Sequence, residues 1–212
     1  YSYPVTLTPL SNSDYATTFR SVIVSGNTQK EFTLDSIHLL SGVVRGPNST
    51  PMINVAIRLD RGASRGVDSA ITDVNGRYSF NVSSGGYSLA FEGRDNTNFP
   101  VSSSWYLDKY ASVVVNADTV RNVDIPLVTL SGQTTDSNGV AVGNISVALD
   151  GLWFSGGNQR SLRNTVTSDA SGNYSMYVLA PDSPYTYSIE ITPPQESGFT
   201  QFPVNFKILV NT

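Results

Sequence analysis

Apolar and polar positions alternate one by one along much of this chain. Ala56-Ile57-Arg58-Leu59-Asp60, Arg77-Tyr78-Ser79-Phe80-Asn81-Val82 and Ser146-Val147-Ala148-Leu149-Asp150 all read this way. A period of two puts the apolar set on one face of a strand and the polar set on the other, so these segments predict half-buried strands. Gly46-Pro47-Asn48, Asn75-Gly76, Ser84-Gly85-Gly86, Ser137-Asn138-Gly139 and Ser171-Gly172 punctuate them. Such residues supply positive φ or local side-chain caps, and turns at roughly eight-to-twelve-residue spacing predict an all-β fold built of β-sandwiches. No segment carries the helical period.

The pattern also repeats. Leu40-Ser41-Gly42 recurs as Leu130-Ser131-Gly132, and Thr72-Asp73-Val74-Asn75-Gly76-Arg77-Tyr78-Ser79 as Ser168-Asp169-Ala170-Ser171-Gly172-Asn173-Tyr174-Ser175. Tyr87-Ser88-Leu89-Ala90-Phe91 recurs as Tyr187-Ser188-Ile189-Glu190-Ile191, with a third version at Tyr3-Pro4-Val5-Thr6-Leu7. Self-similarity at a constant period marks an array of one small unit. Gly42 and Gly132 are 90 positions apart and Gly76 and Gly172 are 96, so the later copy holds about six additional residues between those marks.

Read strand by strand, the unit has seven strands. In the middle copy they are predicted at Leu40–Arg45, Asn54–Asp60, Ser69–Thr72, Arg77–Val82, Tyr87–Glu92, Ser112–Asn116 and Val120–Leu127. Three domains follow: residues 1–39 hold the last three strands of a unit, residues 40–128 a complete unit, and residues 129–212 a unit lacking its last strand. In the first domain the strands are expected at Tyr3–Thr8, Ser21–Ser25 and Glu31–Leu39, and in the third the sixth strand at Phe206–Val210. Partial sandwiches expose sheet edges and half a core. Either the chain is an excerpt of a longer array, or another chain fills the gaps by strand addition.

Composition narrows the function classes. Of 212 residues, 14% are charged and the net charge is −4, with no basic stripe of the kind that binds nucleic acid. No apolar run approaches the length that spans a bilayer as a helix. The absence of cysteine removes disulfides and thiolate metal sites. Low charge with Ser, Thr and Asn on the strands suits a secreted or cell-surface protein. Asn48, Asn81, Asn144 and Asn173 each head an N-x-S/T triplet, a frequency expected by chance in a chain so rich in these residues.

The order L-S-G-x-V, G-x-P-x-x-N-V-x-I, T-D-x-x-G-x-Y-S-F and G-x-Y-x-L resembles the carboxypeptidase regulatory-like domain, related to Cna-B repeats. The residues that carry it are Leu40, Ser41, Gly42, Val44, Asn54, Val55, Ile57, Thr72, Asp73, Gly76, Tyr78, Phe80, Gly86, Tyr87 and Leu89. In the second copy they are Leu130, Ser131, Gly132, Asn144, Ile145, Val147, Asp169, Gly172, Tyr174 and Tyr187. The resemblance implies seven-stranded transthyretin-like (Ig-like) sandwiches serving as spacer, stalk, adhesion module or accessory domain. Cna-B repeats often carry a Lys–Asn crosslink from first to last strand. Here the only lysines are Lys30, Lys109 and Lys207, none in a predicted first strand, and the crosslink is not carried over.

Candidate chemistry is sparse. His38 is the only histidine and no G-x-S-x-G elbow accompanies it. The four glutamates include Glu92 and Glu190 on equivalent fifth strands, too far apart to share a glycosidic bond. Asp73-Val74-Asn75-Gly76 and Asp136-Ser137-Asn138-Gly139 look like fragments of calcium loops, but lack the further oxygen ligands such loops need and suit turn chemistry. The functional signal lies in aromatics expected on loops: Trp153 and Phe154 in the additional residues, Trp105 and Tyr106 in the connection between fifth and sixth strands. These four are the candidate ligand-binding residues, suited to stacking on sugar rings or anchoring a protein. The competing role for the tryptophans is to plug the seam between neighbouring sandwiches.

The expected function is therefore non-catalytic: a tandem stalk, filament or adhesin repeat region, without cofactor. The alternative is a carbohydrate-binding or accessory region of a secreted hydrolase. Expected partners are neighbouring repeats, copies of the chain joined by strand addition, and glycans or surface proteins.

Overall fold

A computed structural model describes residues 1–10, 13–94, 104–180, 185–194, 198 and 202–208. It is all-β, with one 3-10 turn among the described residues, at Pro47–Ser49. In chain order the strands are β1 (Ser2–Leu7), β2 (Tyr15–Ala16), β3 (Thr18–Ile23), β4 (Asp35–Ser36), β5 (His38–Arg45) and β6 (Ala56–Arg61). Then come β7 (Ser64–Ile71), β8 (Arg77–Val82), β9 (Gly85–Arg94), β10 (Ser104–Val115), β11 (Thr119–Val120) and β12 (Val123–Asp124). The last six are β13 (Leu127–Gln133), β14 (Ser146–Ser155), β15 (Asn158–Thr167), β16 (Asn173–Leu179), β17 (Tyr185–Thr192) and β18 (Phe202–Ile208).

The middle unit is a two-sheet sandwich. One layer runs β7-β6-β9-β10, and the other joins β5 to β8 on one side and to β11 and β12 on the other. The alternation read from the sequence sets the faces: Ile57, Leu59, Tyr78, Phe80, Val82 and Leu89 are buried between the layers. Arg58, Ser79 and Asn81 alternate with them. The later unit repeats the plan, with β15-β14-β17-β18 as one layer and β13-β16 as the other. In the first 39 residues β1 pairs β3, and β2 pairs β4.

Three turns show why the repeat persists. Asp73, Asp136 and Asp169 each accept, at one Oδ1, the amides of the residues two and four positions on, at 2.8–2.9 Å. The glycine three positions on has φ of 71°, 80° and 76° in turn, which favours glycine. These carboxylates serve the turn's own backbone, and their pKa values lie below the usual range because those amides favour the charged form.

Several expectations need correction. The third strand is longer than predicted, Ser64–Ile71, and so is the sixth, Ser104–Val115. The seventh is two short pieces that pair with β5 in parallel. No strand forms over residues 28–34, where Glu31–Leu39 was expected, because among the described residues no neighbouring strand lies there to pair with it. The aromatic segment at residues 152–157 is a hairpin and not a loop. Gly156 and Gly157, with φ of 55° and 79°, form a two-residue turn that keeps β14 and β15 paired to Ser155↔Asn158.

Candidate functional site

The two sandwiches share a sheet. β10, the edge of the middle unit, pairs antiparallel with β15, the edge of the later one, from Ser104↔Arg163 to Leu107↔Arg160. One antiparallel sheet of eight strands results, in the order β18-β17-β14-β15-β10-β9-β6-β7. The additional residues of the later copy make this geometry. They extend the β14–β15 hairpin past the length of its counterpart β6–β7, which closes at Arg61↔Ser64. β10 serves both neighbours by bending. Its register on β9 shifts between Leu107 and Ala111, and Lys109 there has φ of 43°.

Strand pairing places side chains in rows across the seam. On the inner face, Gly93, Trp105, Leu162 and Gly151 stand side by side, and the next row is Phe91, Leu107, Arg160 and Trp153. Trp105 is 3% exposed and Trp153 6% exposed. The Trp105 indole lies where a Cβ on residue 93 would be, so this position requires glycine. Trp153 meets Tyr187 edge-on at 5.6 Å between ring centres. One hydrophobic cluster thus runs from Leu40 in the middle unit through the seam to Ile189 in the later one.

Polar groups lock the same junction. Arg160 is buried, donates to the Asp108 carbonyl, and stacks over the Tyr110 ring at 5.4 Å. The Asp108 carboxylate accepts from Arg58 at 2.7 Å, Arg65 at 3.0 Å and the Tyr106 hydroxyl at 3.0 Å. Arg58 also grips Asp60 through two bonds of 2.9 and 3.1 Å, and donates to the Tyr106 hydroxyl. Burial acts to raise the Asp60 and Asp108 carboxyls, but the arginines, with the Gly66 amide on Asp60 and Tyr106 on Asp108, more than offset it and hold both below the usual range. Asp108 is thereby held twice, by its carboxylate within the middle unit and by its carbonyl from the later one.

The four aromatics singled out in the sequence fall on strands of this junction. Trp105 and Trp153 are buried inside it. Tyr106 is half-buried in the Arg58–Asp108 network, and Phe154, 65% exposed, stands with Leu152 on the outer face of β14. Arg58, Asp108 and Arg160 are not legible in the sequence, since the contacts that join them to the network link positions 43 to 52 residues apart; Asp60 enters it through Arg58, two positions away, and the Gly66 amide.

Other candidates have local roles. His38 Nε2 lies 3.0 Å from Ser84 Oγ, and no carboxylate among the described residues bonds the ring to complete a triad. Glu92 on β9 and Glu190 on β17 are four strands apart in the shared sheet, roughly 19 Å at ordinary strand spacing. Among the described residues no group of three or more His, Cys, Asp or Glu could hold a metal, and no helix is long and apolar enough to cross a membrane.

No protein-family model matches the chain, and no curated protein matches it. Solved structures resemble it weakly. A Streptococcal ancillary pilin is 11% identical, with 98% of this chain and 72% of that one covered at a TM-score of 0.34. BcpA, the major pilin subunit of Bacillus cereus, is 10% identical over 82% and 68%, also at 0.34. A DUF3823 family protein from Parabacteroides merdae is 12% identical over 74% and 90% at 0.30. At scores this low nothing about activity or assembly transfers to the chain.

Proposed function

We propose that the chain is a non-catalytic structural module, a stiff tandem β-sandwich spacer of a secreted or cell-surface protein. The observation that carries this reading is the shared sheet. Two units joined only by the short step from Asp124 to Leu127 would swivel; two units joined by strand pairing and a common core resist bending. Stiffness is the property a stalk, filament or adhesin repeat needs. The unit is read as a carboxypeptidase regulatory-like sandwich on the residues quoted above, with its domains at 1–39, 40–128 and 129–212. Self-association and neighbouring repeats are its proposed partners. Phe154 is the most exposed aromatic of the four candidates, and the carbohydrate-binding alternative rests chiefly on it.

Single-molecule pulling from the two ends tests this reading. The expected trace shows the middle and later units unfolding in one event. Two separate low-force events would overturn the spacer reading. Binding to a glycan array that Phe154→Ala abolishes would establish the alternative instead.

A further inference from the structure

The face of the shared sheet turned away from the core carries a trough that crosses the seam. Strand pairing sets one side chain from each of five neighbouring strands in a row: Ile71, Ala56, Glu92, Tyr106 and Ser161, from β7 to β15. All five are exposed or half-buried. At ordinary strand spacing the row is roughly 19 Å long. Two depressions lie along it, one of about 660 Å³ within the middle unit and one of about 460 Å³ over the seam. Glu92 and Tyr106 line both, so the two are continuous.

The trough has depth because its floor is small. Ala56 and Ala90 lie in one depression, and Ser104 and Ser161 in the other. Tyr106 is its fixed point. The Tyr106 hydroxyl accepts from Arg58 at 2.9 Å and donates to Asp108 at 3.0 Å, so the ring is positioned before any ligand arrives. The seam depression takes Glu92, Ser104 and Tyr106 from the middle unit, and Gln159 and Ser161 from the later one. It exists only because β10 and β15 pair.

The lining restricts the occupant. Main-chain groups within a sheet are spent on strand pairing, so this face offers an extended peptide no edge to join. The arginines beside the trough are already neutralised: Arg58 by Asp60 and Asp108, Arg163 by Asp150. An anionic ligand therefore finds little here to hold its charge. The polar groups that line the seam depression are two hydroxyls, an amide and a carboxylate, set around an aromatic ring. Donors and acceptors beside a rigid ring suit a ligand with hydroxyl edges and C–H faces.

We infer that this trough binds a neutral oligosaccharide laid across the strands. One sugar ring packs against Tyr106, and its hydroxyls meet Glu92, Ser104, Gln159 and Ser161, so that both units hold the same ligand. The site adds a ligand to the spacer reading and needs the shared sheet of that reading, not its stiffness. It is distinct from the Phe154 alternative, because Phe154, across from Gln159 on β14, lines neither depression.

Calorimetric titration of the full chain with cellohexaose, xylohexaose, mannohexaose, maltohexaose and chitohexaose tests this, with polygalacturonate as the anionic probe. At least one neutral hexasaccharide should bind and raise the melting temperature. Ser104→Lys places a long side chain on the floor from an exposed position and should abolish binding without changing the melting of the free protein. Ala56→Lys, also at an exposed position, does the same from the other depression and decides the matter if Ser104→Lys unfolds. Glu92→Gln should weaken binding about tenfold, the loss of a charge-assisted hydrogen bond. Phe154→Ala should leave binding in place. Binding to none of the five, binding to polygalacturonate alone, or binding that survives a folded lysine variant overturns the inference. Loss of binding in Phe154→Ala overturns it too, in favour of a site at that residue. A chain that binds none of these sugars yet unfolds under force in one event loses the trough as a site and keeps the spacer reading.

Discussion

Asp108 is the residue on which the junction turns. Its buried carboxylate is stable as an anion only because Arg58, Arg65 and Tyr106 converge on it, and the same Arg58 neutralises the fully buried Asp60. Removing Arg58 leaves two buried carboxylates under-compensated. Arg58→Met is expected to cost about 2–3 kcal/mol in urea unfolding at neutral pH. The pH dependence has a definite sign. A carboxyl whose pKa is lower in the folded state stabilises the fold above its unfolded value, near 4, and that contribution is lost as pH falls through the folded value. Stability should be flat above about pH 5 and fall below about pH 4, and in Arg58→Met, where the folded values move up toward the unfolded ones, the fall should be shallower. An unchanged profile in the variant would show that Arg58 does not hold these groups ionised.

At the scale of the element, the decisive strand is β10. Its inner row sets Trp105 against Gly93, where a Cβ would land on the indole. Gly93→Ala is expected to destabilise the protein by about 1–3 kcal/mol, by forcing the indole or β9 to shift. Chemical denaturation measures this, and a neutral result would mean the indole has room to move. β10 also marks where sequence reading stopped. β8 was legible to the residue, Arg77–Val82, because its alternation is strict and an Asp-x-x-Gly turn precedes it. From the sequence only Ser112–Asn116 reads as a strand here, because the first half of β10 pairs partly with another unit, a long-range contact that leaves no local period. Its bend depends on positive φ at Lys109, a conformation no lysine announces. The Trp153 hairpin reads as a loop in the sequence because Ser155-Gly156-Gly157 resembles any flexible connection. The tryptophans were legible as important and as rivals for two roles, but only pairing across the seam shows which faces they cover.

For the whole molecule, the shared sheet couples two units that the sequence divides at residues 128 and 129. Each has its own inner face, yet one hydrophobic cluster includes both. Calorimetry should therefore show a single transition for residues 40–208. Trp105→Ala, which removes a buried ring from the junction at about 3–5 kcal/mol, should split it in two. A single transition in the variant would indicate that coupling comes from elsewhere.

The length of the β14–β15 hairpin has a consequence for how such a molecule can change over generations. Side chains on a strand switch faces at every step, so an insertion is neutral to orientation only when it adds one residue to each arm. A single added residue in one arm would turn Arg160 and Leu162 toward solvent and present Ser161 and Arg163 to the core. The join between units can thus be lengthened or shortened by inheritance only in pairs, and lineages of this array should differ at residues 152–159 by even numbers.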